Sequence, residues 1–166
     1  MIMPLITHSE GHMTDSYDST QDTTQHIQNV QEKMAEMRNR LRLRALRHDA
    51  SKLVEPEKAL YDILTPRLKG LTYGSDEYKA NLAELKPALD HHYANNSHHP
   101  EHYPDGVAGM DLLDLVEMLC DWRAAGMRHA DGDMTRSLEI NRDRFKIDAQ
   151  MYAILCNTAR NMGWTK

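Results

Sequence analysis

The stretch Arg47-His48-Asp49-Ala50-Ser51-Lys52 is the part of this 166-residue chain that decides its fold. It places a histidine directly before an aspartate at the end of a helical pattern, with a lysine three residues further on. Imidazole and carboxylate are the ligands that divalent transition metals prefer in proteins. The stretch therefore predicts a metal centre at a junction between helices.

Upstream of this junction the sequence predicts one long helix. Thr23 or Thr24 can cap it, and its inner face is predicted from steps of three or four residues. That face holds His26, Val30, Met34, Met37 and Leu41. A lone histidine on such a face is usually a core residue. Because His26 precedes the His48-Asp49 pair, we predict that it is a metal ligand instead.

Downstream, the pattern predicts further helices. One begins near Pro56, a favourable first helical residue, and residues 65–75 with their proline and glycines predict a connection. The next helix, which Pro87 interrupts, has the inner face Tyr78, Leu82, Leu85, Leu89 and His92. An irregular loop over 95–109 follows, then a helix over about 110–127 and a last helix that Asp148 caps. No segment alternates with period two, so we predict an all-α fold.

Composition limits the classes of function. The net charge of −5 argues against binding to extended nucleic acid, which needs a basic surface, but permits a small anionic ligand. No apolar run approaches the roughly 20 residues that span a bilayer. Two cysteines are too few for a disulfide framework, which favours core thiols and a cytoplasmic protein. We predict a flexible tail over residues 1–21 and a single domain over 22–166.

Six of the ten histidines occur in three short groups: His48, the pair His91-His92, and the pair His98-His99 with His102. Together with His26 and the later Asp121, this order resembles the HD superfamily of metal-dependent phosphohydrolases over roughly residues 22–130. The motifs His-Asp-x-Ser-Lys and His98-His99-Pro100-Glu101 are closest to an uncharacterised bacterial and phage family of HD type. The Gly-Tyr-Pro element of the HD-GYP phosphodiesterases is missing, so cleavage of cyclic dinucleotides is not implied.

The resemblance implies an HD-like helical bundle with one or two divalent ions of Mn, Fe, Co, Mg or Zn. The implied metal ligands are His26, His48, Asp49, His92, His98 and Asp121. A mononuclear site would need only the residues His26, His48, Asp49 and Asp121. The additional histidine pairs favour two ions, which Asp49 can bridge through its two oxygens.

The remaining roles follow from the same resemblance. Lys52 is expected to stabilise charge on phosphoryl oxygens, and Asp49 to act in catalysis through the metal. His99 or His102 is expected to protonate the leaving oxygen, and His91 or His99 can replace a ligand or support one. Substrate binding is assigned to Lys52, His91, His102, Arg123 and Arg128, since guanidinium groups match phosphate geometry.

For Asp121 the main alternative to a metal ligand is a solvated surface carboxylate. It shares a stripe with Asp114 and Glu117, opposite a face with Leu112 and Val116, and such a stripe is usually solvated. Other apolar residues flank the stripe, however, so the helix is apolar nearly all round and is predicted to be buried. A buried carboxylate needs a cation, and Asp121 is therefore kept as a ligand.

The predicted function is hydrolysis of a small phosphorylated substrate, a nucleotide by the resemblance, with metal-activated water attacking phosphorus. Two alternatives remain open. One is a di-iron oxygenase, because a branch of the same superfamily oxidises C–H bonds at a histidine-rich centre. The other is a nucleotide-binding module without catalysis. The resemblance is also compatible with a homo-oligomer.

Overall fold

The computed structural model describes residues 17–69, 71, 76–127 and 132–165. Within these ranges the regular structure is six α-helices and three short 3-10 turns, with no strand. The helices are α1 (Thr20–Arg47), α2 (Glu57–Lys69), α3 (Asp76–Asn95), α4 (Leu112–Gly126), α5 (Met134–Phe145) and α6 (Ala149–Asn161). The predicted all-α fold is confirmed, and none of the described helices is long and apolar enough to cross a membrane.

Several predicted boundaries differ from those of the structure. Helix α2 continues to Lys69 with Pro66 inside it, so part of the connection predicted over 65–75 is helical. Leu64 packs against α3, and tertiary packing of this kind commonly stabilises a helix more than its local sequence does. Helix α3 likewise continues through Pro87. Asp148 caps α6 as predicted, accepting hydrogen bonds from the amides of the first turn.

Two hydrophobic cores hold the helices. One lies between α2 and α3 and is built on Leu64, Leu85 and Ala88. The other joins α4, α5 and α6, where its buried residues are Leu115, Met118, Leu119, Met134, Leu138, Ile147, Leu155 and Ala159. The loop between α3 and α4 contains two 3-10 turns, Pro100–His102 and Gly106–Gly109. The polar residues described below come from this loop, from the turn after α1, from the start of α2, from the end of α3 and from α4.

The apolar stripe of α1 was predicted to be core, and this prediction is wrong. Met34 is 66% exposed, and Val30 and Met37 are exposed as well. The contacts divide the chain into one unit of Met1–Glu36 and a second unit of Met37–Lys166. Nearly every described side chain of the first unit is exposed. Helical periodicity shows which residues share a face, but it does not show whether another element covers that face.

The two faces of helix α4 differ in burial, and the face with the acidic stripe is the more buried one. Asp114 is only 2% exposed, and Glu117 and Asp121 are partly buried. Leu112 and Val116, from the face that looked like the core face, are exposed. The acidic stripe of α4 therefore faces the interior, where a buried carboxylate needs cations and hydrogen-bond donors around it.

Arg44, in the last turn of α1, supplies one of these cations. Its guanidinium pairs with Asp114 and also donates from Nε to Glu117 at 2.6 Å. Asp114 accepts further hydrogen bonds from the hydroxyls of Ser97 at 2.6 Å and Tyr103 at 2.7 Å. This network fixes the position of α4 relative to the end of α1 and to the loop after α3.

Candidate metal centre

His48 and Asp49 lie directly after the end of α1, where the chain changes direction. Asp49 has a φ of 56° and a ψ of 14°, which is the left-handed region that aspartate and asparagine tolerate better than most residues. A 3-10 turn, Ala50–Leu53, follows at once. The sharp turn accounts for the ability of two adjacent side chains to reach the same cluster.

The carboxylate of Asp49 lies among three histidines of α3 and the following loop. Its Oδ1 is 3.1 Å from Nε2 of His92 and 3.6 Å from Nε2 of His98. Nε2 of His92 is in turn 2.9 Å from Nε2 of His99. One ligand atom from each of these four residues lies within 4.8 Å of the others, so they can hold a metal ion.

A second group shares the same aspartate. Nε2 of His48 is 3.7 Å from Oδ2 of Asp49 and 3.6 Å from Oδ1 of Asp121. These three residues also meet the distance criterion for a shared ion. Because each oxygen of Asp49 faces a different group, the arrangement fits either one ion or two ions bridged by this carboxylate.

Two atoms of the cluster are shielded from solvent and lack a hydrogen bond within the described part of the chain. They are Oδ1 of Asp49 and Nε2 of His98, and they lie 3.6 Å apart. A buried polar atom without a partner is costly. Two electron-pair donors that face each other in this way are satisfied by a cation between them, so the residues present fit a divalent metal.

Glu117 orients two of the histidines. Its Oε1 lies 2.9 Å from Nδ1 of His48 and 3.2 Å from Nδ1 of His98, and its Oε2 accepts from Arg44. An ionised carboxylate can only accept hydrogen bonds, so both rings present N–H at Nδ1. Their Nε2 atoms face the cluster, which is the arrangement that carboxylates impose on metal-bound histidines.

Glu57 orients the histidine pair His91 and His92 through their Nδ1 atoms. This residue is completely buried at the start of α2, and its two oxygens lie 2.8 Å from Nδ1 of His91 and 3.0 Å from Nδ1 of His92. His92 is only 1% exposed, and Ser51 and Asn96 also contact its Nδ1. The orientation of His92 is therefore fixed, with Nε2 toward Asp49.

The carboxylates of the cluster remain ionised. Burial raises the pKa of Asp49, but the neighbouring His92 ring and Lys52 ammonium outweigh burial and hold the pKa well below its usual range. Burial likewise raises the pKa of Asp121, and the contact with His48 lowers it further than burial raises it. A partly buried pair of carboxylate charges attracts a cation.

The pKa values of His48 and His99 are shifted in opposite directions. The carboxylates of Asp121 and Glu117 raise the pKa of His48 to about 10. Burial, together with the nearby His98 and His92, lowers the pKa of His99 to about 3. A neutral His99 suits the role of a metal ligand better than the predicted role of proton donor, and its ring lies with His92, His98 and Asp49.

Lys52 lies at the edge of the cluster. Its ammonium group is 2.6 Å from Oδ2 of Asp49 and 5.4 Å from the ring centroid of Tyr61. The side chain is about one-third exposed, so its charge can be reached by a ligand from solvent. Lys52 is therefore well placed to interact with an anion that binds next to Asp49.

The structure thus brings together most of the predicted site but not all of it. The clustered residues are His48, Asp49, Lys52, His92, His98, His99 and Asp121. His26 is exposed on α1, in the unit Met1–Glu36, and belongs to none of the ligand groups found among the described residues.

The other residues that were predicted to bind substrate are not part of this cluster. Nδ1 of His91 is held by Glu57, and Nδ1 of His102 donates to the carbonyl of Tyr93 at 2.7 Å. Neither ring belongs to a ligand group in the described structure. Arg123 is partly buried on α4, and Arg128 lies outside the described residues.

Sequence reasoning missed the two carboxylates that orient the histidines. Glu117 was placed on the acidic stripe of α4 but was given no role, and Glu57 was not singled out. A signal for Glu117 was present, because Arg44 in the last turn of α1 and His48 directly after it are four residues apart and can match the acidic stripe of α4. Glu57 carried no such signal, since its role depends on the packing of α2 against α3.

A family model described as a family of unknown function (DUF5662) matches residues 15–161 of the chain. The matched region includes every residue of the cluster. No curated protein and no solved structure matches the chain. The chemistry of the cluster is therefore the basis for a functional proposal.

Proposed function

The chain belongs to the family of unknown function DUF5662, and we propose that it is a metal-dependent phosphohydrolase acting on a small phosphorylated substrate. The proposal depends chiefly on one observation: the buried atoms Asp49 Oδ1 and His98 Nε2, at the meeting point of two ligand groups, have no hydrogen-bond partner in the described part of the chain. The order of the motifs in the sequence, which resembles the HD superfamily, supports the choice of phosphoester hydrolysis and of a nucleotide.

The proposed ligands are His48, Asp49 and Asp121 for one ion and His92, His98 and His99, with Asp49 shared, for a second. Nitrogen and carboxylate ligands of this kind suit Mn²⁺, Fe²⁺, Co²⁺ or Zn²⁺ better than they suit Ca²⁺. A bound divalent ion supplies a Lewis acid that lowers the pKa of water toward neutrality and polarises a phosphoryl group.

The chain's own residues contribute positioning and charge. Glu57 and Glu117 hold the imidazoles with Nε2 toward the cluster, so the ligand geometry is fixed before a substrate arrives. Lys52 is proposed to bind a phosphoryl oxygen and to stabilise the negative charge that develops there. The burial of His92 and His98 limits the access of bulk water to one side of the site.

The first test combines elemental analysis of the purified protein with a hydrolysis panel of nucleotides and sugar phosphates, in the presence of Mn²⁺, Co²⁺, Mg²⁺ or Fe²⁺. One or two metal ions per chain together with phosphate release would support the proposal. Two irons without phosphate release but with oxygen consumption would replace it by an oxygenase. Bound metal with intact substrates throughout would favour a binding module, and absence of metal would remove the basis of the proposal.

The Lys52→Ala variant is expected to keep its metal content and to have a lower catalytic rate. Without the ammonium group, the charge on the phosphoryl oxygens is unsupported, and kcat should fall by about 100-fold, as when one stabilising donor is removed from an anion site. Metal content and kcat are measured on the same preparation. Lys58→Ala, which removes an exposed lysine near the start of α2, serves as the control. Loss of metal together with rate would instead make Lys52 a structural partner of Asp49.

Glu117→Gln is expected to weaken metal binding by about 10- to 100-fold, the usual effect of removing a carboxylate that orients metal-bound histidines. The neutral amide holds the Nδ1–H groups of His48 and His98 less strongly, although it has nearly the same size. Calorimetric titration with Mn²⁺ or Zn²⁺ measures the change. Glu84→Gln, at an exposed position on α3, is the matched control, and equal affinities in the two variants would contradict the assigned role of Glu117.

A further inference from the structure

A cavity of about 470 Å³ lies between α4 and α5 and reaches the proposed metal centre at His99 and Asp121. We call it the α4–α5 pocket; Trp122, Arg136 and Asn141 are among the residues that line it. Sites for small organic ligands typically have volumes of roughly 300–1,000 Å³. The pocket is thus large enough for the organic part of a substrate whose phosphate lies at the metal centre.

The pocket has an aromatic wall. Trp122 and Phe145 lie with nearly parallel rings, 3° apart in angle and 6.1 Å between centroids. Both are only partly buried against the core of α4, α5 and α6. Tyr93 also lines the pocket, and its ring centroid is 5.0 Å from that of His99. Aromatic side chains of this kind can stack on a planar ring, which contributes about 1–3 kcal/mol for a nucleobase.

Arg136 is the cation of this pocket that remains available for a ligand. The other arginine of the pocket, Arg144, is paired with Glu101 at 2.7 Å. The carboxylate of Asp133, which also lines the pocket, accepts a hydrogen bond from the amide of Thr135 at the start of α5. Arg136 has no ion-pair or hydrogen-bond partner among the described residues and is exposed. A guanidinium group without a partner can donate two hydrogen bonds to adjacent acceptor atoms.

Helix α5 also contributes Ser137, Ile140 and Asn141 to the wall of the α4–α5 pocket. Ser137 and Asn141 are one turn apart and partly buried, with 3.5 Å between Asn141 Nδ2 and Ser137 Oγ, so the amide oxygen remains free to accept a hydrogen bond. Ile140 beside them is 51% exposed. A planar ring with polar edge atoms would cover the apolar side chain and satisfy the polar ones.

We propose that the α4–α5 pocket binds the planar ring of an organic monophosphate, stacked near Trp122 and hydrogen-bonded at its edge by Arg136. This inference rests on the proposed phosphohydrolase function and makes the substrate class more specific: a phosphate ester with an aromatic ring, for which nucleoside 5′-monophosphates are the probes. Ribose 5-phosphate, which has the sugar and phosphate but no ring system of this kind, is the matched poor substrate.

Fluorescence tests binding without any need for turnover. The chain has two tryptophans, so Trp164→Phe leaves Trp122 as the only indole, and Trp122→Phe leaves Trp164. Nucleosides, which carry no phosphate to hydrolyse, are expected to quench the emission of the Trp164→Phe protein in a saturable manner. They should leave the Trp122→Phe protein unchanged, and ribose 5-phosphate should quench neither. Equal quenching of both variants, or of neither, would contradict stacking near Trp122.

Kinetics tests the specificity. Arg136→Ala is expected to lower kcat/KM for nucleoside monophosphates by about tenfold, the loss of one charge-assisted contact, and to leave kcat/KM for ribose 5-phosphate unchanged. Trp122→Leu should act in the same selective way. Arg142→Ala is the control, because Arg142 is also exposed on α5 but lies over the ring of Tyr152. An equal loss for both substrates would make Arg136 a phosphate contact and overturn its assignment to the ring.

The outcomes separate the two proposals. Phosphate release with no preference for a ring, and with no effect of Arg136→Ala or Trp122→Leu, would reject the pocket assignment and leave the phosphohydrolase in place. Selective quenching of Trp122 in a protein that neither holds metal nor releases phosphate would reject the phosphohydrolase and leave the α4–α5 pocket as a ring-binding site.

Discussion

Asp49→Asn should abolish metal binding and activity together, which is the largest functional effect expected in this chain. Asparagine keeps the size of the side chain and tolerates the left-handed backbone at this position, so the variant removes the charge with little effect on the fold. Both proposed ligand groups use Asp49. Metal affinity should therefore fall by more than the roughly 100-fold that a supporting carboxylate contributes.

Elemental analysis and calorimetric titration measure this loss, and circular dichroism checks that the helices remain. Asp62→Asn is the matched control, because Asp62 is exposed on α2 and pairs with the exposed Lys58. The control should retain metal and activity at the level of the parent protein. An Asp49→Asn protein with a full complement of metal would refute the proposed centre.

Asp114→Ala should produce the largest loss of stability, about 3–5 kcal/mol in the free energy of unfolding. Four groups converge on this carboxylate: Arg44, the hydroxyls of Ser97 and Tyr103, and the amide of Asp111. The variant leaves buried donors without their acceptor, in a region that water reaches poorly. Urea denaturation followed by circular dichroism measures the change, and Asp62→Ala, at an exposed ion pair, should cost at most about 1 kcal/mol.

The difference between the parent protein and Asp114→Ala should depend on pH. Burial raises the pKa of Asp114, but the hydrogen bonds from Ser97, Tyr103 and the Asp111 amide, together with Arg44, outweigh burial and lower the pKa. A carboxyl group with a lowered folded-state pKa stabilises the fold above its unfolded-state pKa of about 4 and loses that contribution as the pH falls. The two unfolding free energies should therefore converge below about pH 4, and a constant difference would show that packing alone is responsible.

The all-α fold and much of the cluster could be predicted from the sequence because they depend on local patterns. Helical periodicity and caps such as Asp148 are local features, and the short spacing in sequence of His92, His98 and His99 limits how far apart they can lie. Asp49 and His48 followed from the same motif. These residues needed no knowledge of how distant helices pack.

The polarity of α4 and the exposure of α1 could not be predicted in this way. The sequence of α4 offers two opposite faces, and the choice between them depends on which partner lies alongside: Arg44 and His48 favour the acidic face. For α1 the apolar stripe was regular, but Val30, Met34 and Met37 are exposed. Glu57 reaches His91 and His92 only through the contact of α2 with α3, which no local pattern records.

Because the two hydrophobic cores are separate, the proposed metal would also contribute to the stability of the fold. His92 belongs to the helix that packs with α2, whereas Asp121 belongs to the helix that packs with α5 and α6. Metal bound at Asp49 would tie these parts, because one ligand group of this carboxylate includes His92 and the other includes Asp121. It would then act as a non-covalent cross-link, so that part of its binding free energy is also free energy of folding.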